Sequence, residues 1–211
     1  NAGSPDGDDQ DLDGYDECDD CDDTNLAIYP GAPEIPATGF SEACDDVELC
    51  FADLDMDGYA GTTTIESDGN LDCDDADEYW VADDCVDTDA TVNPDASELV
   101  ADLQDQDCDG RELCFDDLDQ DGWGSVSTSL SLTLACDTVD QLSLTSGDCD
   151  DNNASAYPGA TEVPVNGVDE DCDLTELCYQ DGDDDDYGDT SLLASGVGDL
   201  SCSGTNVSNV N

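Results

Sequence analysis

The chain carries Asp117-Leu118-Asp119-Gln120-Asp121-Gly122-Trp123, in which three carboxylates occupy alternating positions ahead of a glycine. Alternate side chains of a tightly turning loop converge on one point, and Gly122 can adopt the positive φ that a sharp turn requires. Three carboxylates about 4 Å apart repel by roughly 4 kcal/mol per pair at an effective dielectric of about 20, so the loop needs a cation to close. The stretch therefore predicts a cation loop, with calcium as the favoured ion.

The same pattern occurs at residues 9–15 and 53–59, and in altered form at 181–188. Four copies in one chain indicate a repeated function. The candidate loop ligands are Asp9, Asp11, Asp13, Asp53, Asp55, Asp57, Asp117, Asp119, Asp121, Asp181, Asp183 and Asp185.

The composition indicates a secreted, disulfide-rich protein. The 211 residues include 59 acidic and 1 basic side chain and no histidine, for a formal net charge of -58. High charge with few aromatic residues is typical of disordered chains. The 13 cysteines argue against disorder, because that density belongs to disulfide scaffolds made in an oxidising compartment. We therefore expect a folded protein that is extracellular or at the cell surface.

The charge balance also excludes two classes of partner. Nucleic-acid binding needs lysine and arginine to neutralise phosphates, and anionic membranes attract basic segments. No apolar run is long enough for a transmembrane helix, so we expect no membrane insertion. The chain opens at Asn1 without a signal sequence, and we expect that a leader has already been removed.

Cysteine spacing shows an internal repeat. Cys50, Cys114 and Cys178 are 64 positions apart, each inside a Glu-Leu-Cys sequence, and two further cysteine sets share that interval while a fourth drifts slightly. We divide the chain into a truncated calcium-loop segment at 1–20, repeats at 21–84 and 85–148, and an incomplete third repeat at 149–211.

Units of this size commonly need covalent staples. Sequence does not determine connectivity, but the repeat favours local pairs. These pairs are Cys21–Cys44, Cys50–Cys73, Cys85–Cys108, Cys114–Cys136, Cys149–Cys172 and Cys178–Cys202. Cys18 is left over as a free thiol, as a link to another Cys18, or as a bond to another molecule.

A strand is predicted after the third loop. Val126, Leu130, Leu132, Leu134 and Cys136 share a parity between serines and threonines, which is typical of a half-buried strand. Weaker strands are expected at 62–65 and 191–194, and no segment shows a helical period. The predicted fold is small, loop-rich and all-β, with tandem disulfide-stapled calcium-binding repeats in an elongated array.

The loops are not standard EF-hands, which place a bidentate glutamate at position 12. That position holds Asp20, Thr64, Thr128 and Leu192 in the four loops. We expect the missing ligands to come from the acidic cysteine turns: Asp84, Asp87 or Asp89 for the loop at 53–59, and Asp148, Asp150 or Asp151 for the loop at 117–123. Further candidates are the backbone carbonyls of Tyr59 and Trp123 and the side chains of Glu34, Glu98 and Glu162.

Several motifs together resemble a known family. Gly-Asp-Cys-Asp-Asp-Asn at 147–152, Tyr-Pro-Gly-Ala-x-Glu at 29–34 and 157–162, and Asp-x-Asp-Cys-Asp at 105–109 and 169–173 resemble the metal-binding repeats of MopE-like bacterial surface proteins over nearly the whole chain. Residues 9–23 are similar to thrombospondin type 3 calcium repeats. The resemblance implies an extracellular calcium-binding protein, and some family members are associated with copper. One family cysteine is absent here, where Pro36, Val100 and Pro164 stand.

Oxygen-rich sites favour calcium over other metals. Copper and zinc prefer histidine, methionine or thiolate, and this chain has no histidine, one methionine (Met56) and cysteines assigned to disulfides. Magnesium is less readily held by protein ligands alone. Paired carboxylates can also hydrolyse glycosides, but repeated sites indicate one repeated task, and we expect no enzyme.

We predict a calcium-dependent structural protein that self-associates into a stalk or filament. The filament hypothesis rests on the truncated first unit and on the chain ending before another cysteine turn; a fragment of a longer array is the alternative. Other functions left open are a calcium-dependent adhesin, with Tyr59 or Trp123 presented to a sugar or protein, and a calcium buffer or mineral nucleator. Glycans are possible at the sequons of Asn153 and Asn206.

Overall fold

The computed structural model describes residues 7–183, 185–204 and 206–209. In these residues we find nine short β-strands and no helix, which confirms a small all-β fold. The strands are β1 Leu49–Ala52, β2 Thr64–Glu66, β3 Glu78–Tyr79, β4 Leu113–Asp116, β5 Thr128–Leu130, β6 Leu142–Ser143, β7 Leu177–Gln180, β8 Leu192–Ala194 and β9 Val207–Ser208.

The strands form three antiparallel sheets with one topology. The orders are β2-β1-β3, β5-β4-β6 and β8-β7-β9, so the first strand of each set is central. The register places Cys50 opposite Ile65, Cys114 opposite Ser129 and Cys178 opposite Leu193. The central strands begin at the Glu-Leu-Cys sequences, where the sequence pattern predicts no strand. These segments are only four residues long, too short to show a clear period of two.

The strand predicted at residues 126–136 is present only as the short strand β5, and the prediction that its apolar side is buried is wrong. Strand β5 covers only three residues, all of them exposed, and Val126 and Leu132 are 89% and 75% exposed. The buried residue is Ser131, whose Oγ accepts a hydrogen bond from the Glu112 amide at 3.0 Å. The Ser131 amide donates to the Glu112 carbonyl at 2.8 Å. Neither face of the stretch is buried as a whole, and Ser131 alone points inward, where it holds the main chain of Glu112.

Six disulfides staple the repeats, and they join the six pairs that the repeat interval favours. Each bridge spans 22 to 24 positions, and a loop of this size contributes about 3 kcal/mol by restricting the unfolded chain. Cys50, Cys114 and Cys178 are fully buried, each in a central strand. Cys18, the remaining cysteine, is exposed.

The centre of each sheet region contains a glutamate. Glu48, Glu112 and Glu176 have no exposed surface, and burying a carboxylate is costly unless it is hydrogen-bonded. Glu176 Oε1 accepts from the amides of Val165 at 3.0 Å and Leu177 at 2.9 Å, and Oε2 accepts from Gly167 at 2.7 Å. These backbone donors replace water, so the carboxylate orders a polar centre where a larger domain would have apolar side chains.

The chain divides into two compact units, Asn1–Ser97 with Gln106–Asp109, and Glu98–Asp105 with Gly110–Asn211. The first contains the sheet of β1 to β3 and the acidic loops at 9–14 and 53–58. The second contains the other two sheets and the loops at 117–122 and 181–186. The repeat boundaries at 21, 85 and 149 remain a prediction.

No stretch of the described residues forms a helix with the length and apolar character needed to cross a membrane.

Candidate metal centre

The first aspartate of each loop fixes the backbone. In the loop at 53–58, Asp53 Oδ1 accepts from the Met56 amide at 2.6 Å and Oδ2 from the Gly58 amide at 3.0 Å. Asp9 and Asp117 make the same pair of bonds in their loops. Gly58 has a φ of 103°, and Gly14 and Gly122 have similar values, a region that favours glycine. The sharp turn predicted from the sequence is therefore present.

Backbone pairing brings a cysteine turn onto the loop. We use "cysteine turn" for residues 20–23, 84–87 and 148–151. Ala60, just after its loop, forms a parallel bridge with Ala82, and the Asp84 amide donates to the Ala60 carbonyl at 3.0 Å. Gly124 and Ser146 pair in the same way in the second unit. Aspartates far apart in sequence thus meet at one loop.

At the second loop, this arrangement produces a cluster of carboxylates without donors. Oxygens of Asp53, Asp55 and Asp57 lie within 4.8 Å of one another. Both oxygens of Asp55, Oδ2 of Asp84 and Oδ2 of Asp87 are buried and accept no hydrogen bond. Asp84 is only 6% exposed. Unpartnered buried carboxylate oxygens are costly, and a hard cation that takes oxygen ligands removes that cost.

Each of the other two sites has three unpartnered buried oxygens, two of which are equivalent to Oδ2 of Asp55 and Oδ2 of Asp84. They are Asp11 Oδ2, Asp13 Oδ2 and Asp20 Oδ2 in one, and Asp119 Oδ2, Asp121 Oδ2 and Asp148 Oδ2 in the other. We call these the first site (Asp9, Asp11, Asp13, Asp20) and the third site (Asp117, Asp119, Asp121, Asp148), and the cluster of Asp53, Asp55, Asp57, Asp84 and Asp87 the second site.

The leading aspartate of the cysteine turn behaves alike in all three sites. Oδ1 of Asp20, Asp84 and Asp148 accepts from the amide two residues on, at 3.0, 2.7 and 2.8 Å respectively. The other oxygen is the unpartnered one. The short turn therefore fixes the carboxylate and leaves one oxygen to face the loop.

Electrostatics show that loop and turn repel each other. Burial raises the pKa of Asp84, and the charges of Asp57, Asp55 and Asp87 raise it further. Burial also raises the pKa of Asp148, where Asp119, Asp121 and Asp151 add to the effect. Asp55 and Asp119 in the loops have raised pKa values for the same reasons. A bound cation would relieve this repulsion.

Two of the predicted ligands in the turns are exposed, and two others are main-chain carbonyls. Asp89 is exposed, and its Oδ1 accepts from the amide and hydroxyl of Thr91. Asp150 is exposed between Asp148 and Asp151. The carbonyls of Tyr59 and Trp123 remain predicted ligands.

The three predicted glutamates belong to another part of the repeat. Glu34 Oε1 accepts from the Ala43 amide at 2.7 Å, and Glu162 Oε1 accepts from the Glu170 amide at 2.7 Å. Both contacts lie at the second cysteine of the repeat rather than at the loop. Oε2 of Glu34 and Oε2 of Glu162 are buried without a partner. Glu98 occupies the equivalent position in the second repeat.

The fourth loop shares the turn but not the buried cluster. Asp181 is buried, and its oxygens accept from the amides of Asp185 at 3.2 Å and Asp186 at 3.0 Å. Asp183 and Asp185 are exposed, unlike their half-buried counterparts in the other loops. This loop is the weakest of the four as a cation site.

Two of the aromatic residues that follow the loops, Tyr15 and Tyr59, make contacts within the repeat, whereas Tyr187 is 65% exposed. The ring of Tyr15 stacks on Tyr29, with centroids 5.6 Å apart and 12° between the planes. A hydrogen bond to Asp95 raises the pKa of Tyr59, and burial adds to the shift. Both contacts reach the Tyr-Pro-Gly region of the repeat. They favour packing beneath the loop over a sugar-binding platform.

Sequence reasoning missed two contributors. Asn93 Nδ2 donates to Asp57 Oδ2 at 2.8 Å and so holds one of the loop carboxylates. The sequence did mark Asn93 as unusual, because it stands where the other repeats have Tyr29 and Tyr157. The buried glutamates Glu48, Glu112 and Glu176 had a signal too, because they recur every 64 positions in the Glu-Leu-Cys sequences, but that recurrence does not indicate burial.

Comparison with known proteins finds one motif three times in the chain, at the interval of 64 positions. Residues 20–48, 84–112 and 148–176 match the family model Cu-binding_MopE, described as a putative metal-binding motif. Each match begins at the leading aspartate of a cysteine turn and ends at a buried glutamate, so it covers less of the chain than the resemblance suggested. No curated protein and no solved structure matches the chain. The chain therefore contains three tandem matches to a putative metal-binding motif of the MopE type.

Proposed function

We propose that the first, second and third sites each bind a calcium ion. The observation that carries the proposal is the buried, unpartnered Oδ2 of Asp20, Asp84 and Asp148, which recurs at the same place in all three repeats. A single orphaned oxygen has many explanations, but three equivalent ones facing three equivalent loops indicate a common ligand. Each lies near carboxylates that would otherwise repel it.

The donor set favours a hard cation. Calcium takes six to eight oxygen ligands in flexible geometry, which suits aspartates drawn from two separate segments. Copper, named in the family model, does not fit these residues, because the chain has no histidine and its one methionine, Met56, is 80% exposed. The sulfurs of Cys21 and Cys44 lie near Asp20 but are joined in a disulfide. They offer no thiolate.

We propose a structural, non-catalytic role outside the cell. Six disulfides suit an oxidising environment, and a net charge of -58 makes the compact chain dependent on counterions. At tenfold excess over the dissociation constant, each ion adds about 1.4 kcal/mol of stability. Three bound ions together would decide whether the repeats stay ordered. A stalk or filament built of tandem units requires that order.

The test is removal and return of calcium on the oxidised chain. Near-UV circular dichroism would report the order around Tyr15, Tyr59 and Trp123, and electron microscopy of the same samples would report assembly. We expect chelation to abolish the near-UV signal and any fibres, and calcium but not magnesium to restore both. A chain that keeps its spectrum after chelation would contradict calcium binding. Recovery of the spectrum without assembly would contradict the filament and leave the binding sites intact.

A further inference from the structure

The first site differs from the second at the aspartate that ends the cysteine turn. In the first site this residue is Asp23, and both of its oxygens are occupied by Gln10. The Gln10 amide donates to Oδ1 at 3.1 Å, and its side-chain Nε2 donates to Oδ2 at 3.0 Å. Gln10 is the second residue of the loop, so the loop itself holds this carboxylate.

In the second site, the loop's second residue is Leu54 and the matching aspartate is Asp87. The Leu54 amide donates to Asp87 Oδ1 at 2.9 Å, which repeats the main-chain half of the Gln10 contact. Leucine has no side-chain donor, and Asp87 Oδ2 is buried and unpartnered. The third site has the same main-chain contact as the second, because the Leu118 amide donates to Asp151 Oδ1 at 2.8 Å. Gln10 is thus the residue that distinguishes the first site.

The contacts of the two aspartates differ at the second carboxylate oxygen. Oδ2 of Asp87 is buried and accepts no hydrogen bond, and Oδ2 of Asp84 in the same site is also buried and unpartnered. In the first site, both oxygens of Asp23 accept from Gln10. Asp87 therefore offers an unpartnered oxygen to a cation, whereas each oxygen of Asp23 already accepts a hydrogen bond.

We propose that Gln10 lowers the cation affinity of the first site by holding Asp23 out of the coordination sphere. This inference rests on the proposed cation binding. An oxygen that accepts an amide proton in a charge-assisted bond is a poorer donor to a metal, so the cation must break that bond or do without the ligand. Removing the amide frees Asp23, and adding one at position 54 restrains Asp87.

Two reciprocal substitutions test the proposal on the full oxidised chain. The amides of Gly14 and Gly58 donate to the first aspartate of their loops, at 3.2 and 3.0 Å, and their NMR signals report calcium binding site by site. We expect Gln10→Leu to lower the calcium midpoint of the Gly14 signal about tenfold and leave that of Gly58 unchanged. We expect Leu54→Gln to raise the Gly58 midpoint by a similar factor and leave that of Gly14 unchanged.

A matched control separates this role from a general change of the loop. Leu12→Gln makes the same kind of substitution two residues away, at a side chain that is 79% exposed, and Gln120 occupies that position in the third loop. We expect no shift in either midpoint. If Gln10 has only a structural role, Gln10→Leu should weaken calcium binding. The proposal instead predicts tighter calcium binding at the first site, even if the thermal stability measured in chelator falls.

The outcomes separate a failure of the proposed cation binding from a failure of the role assigned to Gln10. If calcium shifts neither the Gly14 nor the Gly58 signal in the unmodified chain, the proposed cation binding fails. If both signals respond and Gln10→Leu leaves the Gly14 midpoint unchanged or raises it, the sites bind calcium and the role assigned to Gln10 is overturned.

Discussion

The backbone amide of Leu54 donates to Oδ1 of Asp87 at 2.9 Å, although 33 positions of sequence separate the two residues. Leu118 and Asp151 repeat the contact at 2.8 Å over the same separation. A cation loop of local residues can form as soon as its own backbone turns. The second and third clusters form only when a distant turn has docked, so the proposed cation binding would be coupled to tertiary folding.

Replacing Asp84 by asparagine should weaken the second site. The substituted side chain would keep the turn but lose the charge of the unpartnered oxygen, and we expect calcium affinity there to fall at least about tenfold. Isothermal titration calorimetry should show one fewer tight site. Asp89→Asn removes a charge from the same turn region without touching the cluster and should bind like the unmodified chain. Equal losses in both variants would indicate a non-specific charge effect.

Gly61→Ala should disturb the same site through crowding. A Cβ at residue 61 would lie 2.3 Å from the Cβ of Asp87, so the aspartate must move. We expect a several-fold weaker calcium midpoint at the Gly58 amide. Gly196→Ala, at a position with open space around it, serves as the control for the loss of a glycine. An unchanged midpoint for Gly61→Ala would show that Asp87 contributes little to binding.

Acid should stabilise the calcium-free protein. Burial raises the pKa values of Asp55, Asp84, Asp119 and Asp148, so the folded chain binds these protons more tightly than the unfolded chain. Stability then rises as the pH falls through the raised values, and the gain is complete below the unfolded pKa of 3.8. Protonation also relieves the overall net charge of -58, which acts in the same direction.

With calcium present the trend should reverse, because protons compete with the ion for the same oxygens. Melting temperatures from about pH 7 to about pH 4 in chelator and in excess calcium test both statements. Parallel curves in the two conditions would mean that calcium does not bind these carboxylates.

Glu176→Leu should destabilise the third sheet. Leucine has a similar bulk but leaves the amides of Leu177 and Gly167 without the carboxylate that accepts from them, at a side chain with no exposed surface, and we expect a loss of about 3 kcal/mol. Denaturant unfolding of the oxidised chain measures it. Glu66→Leu, at an exposed strand position, should change stability by less than about 0.5 kcal/mol. A loss for Glu176→Leu as small as that of the control would show that the buried carboxylate is dispensable.

The parts of the fold that depend on spacing could be predicted from the sequence. The interval of 64 positions suggested the six cysteine pairs, and the repeated acidic loops suggested which turns would dock on them. Both follow from counting, because equivalent residues in tandem repeats occupy equivalent places. Asp84 and Asp148 were found in this way.

The parts that depend on which side faces inward could not be predicted. An alternating strand from Val126 to Cys136 has an apolar side and a polar side. Because apolar residues are usually buried, the prediction placed the leucines inside. The structure buries Ser131 instead, because a disulfide and Glu112 form the centre and need hydrogen-bond partners more than apolar contacts. The proposed role of Gln10 could not be predicted from the sequence for a related reason. It depends on a three-dimensional contact with Asp23 rather than on a sequence pattern.

The disulfide connectivity determines how the chain would carry a pulling force. Every bridge closes a stretch of 22 to 24 positions, and no two of the closed stretches overlap. Tension applied between Cys21 and Cys202 passes through six covalent shortcuts and the short segments that link them. The residues inside the bridges are shielded from the load. Even with every sheet disrupted, only the segments between the bridges could extend, so most of the contour would stay unavailable to the force.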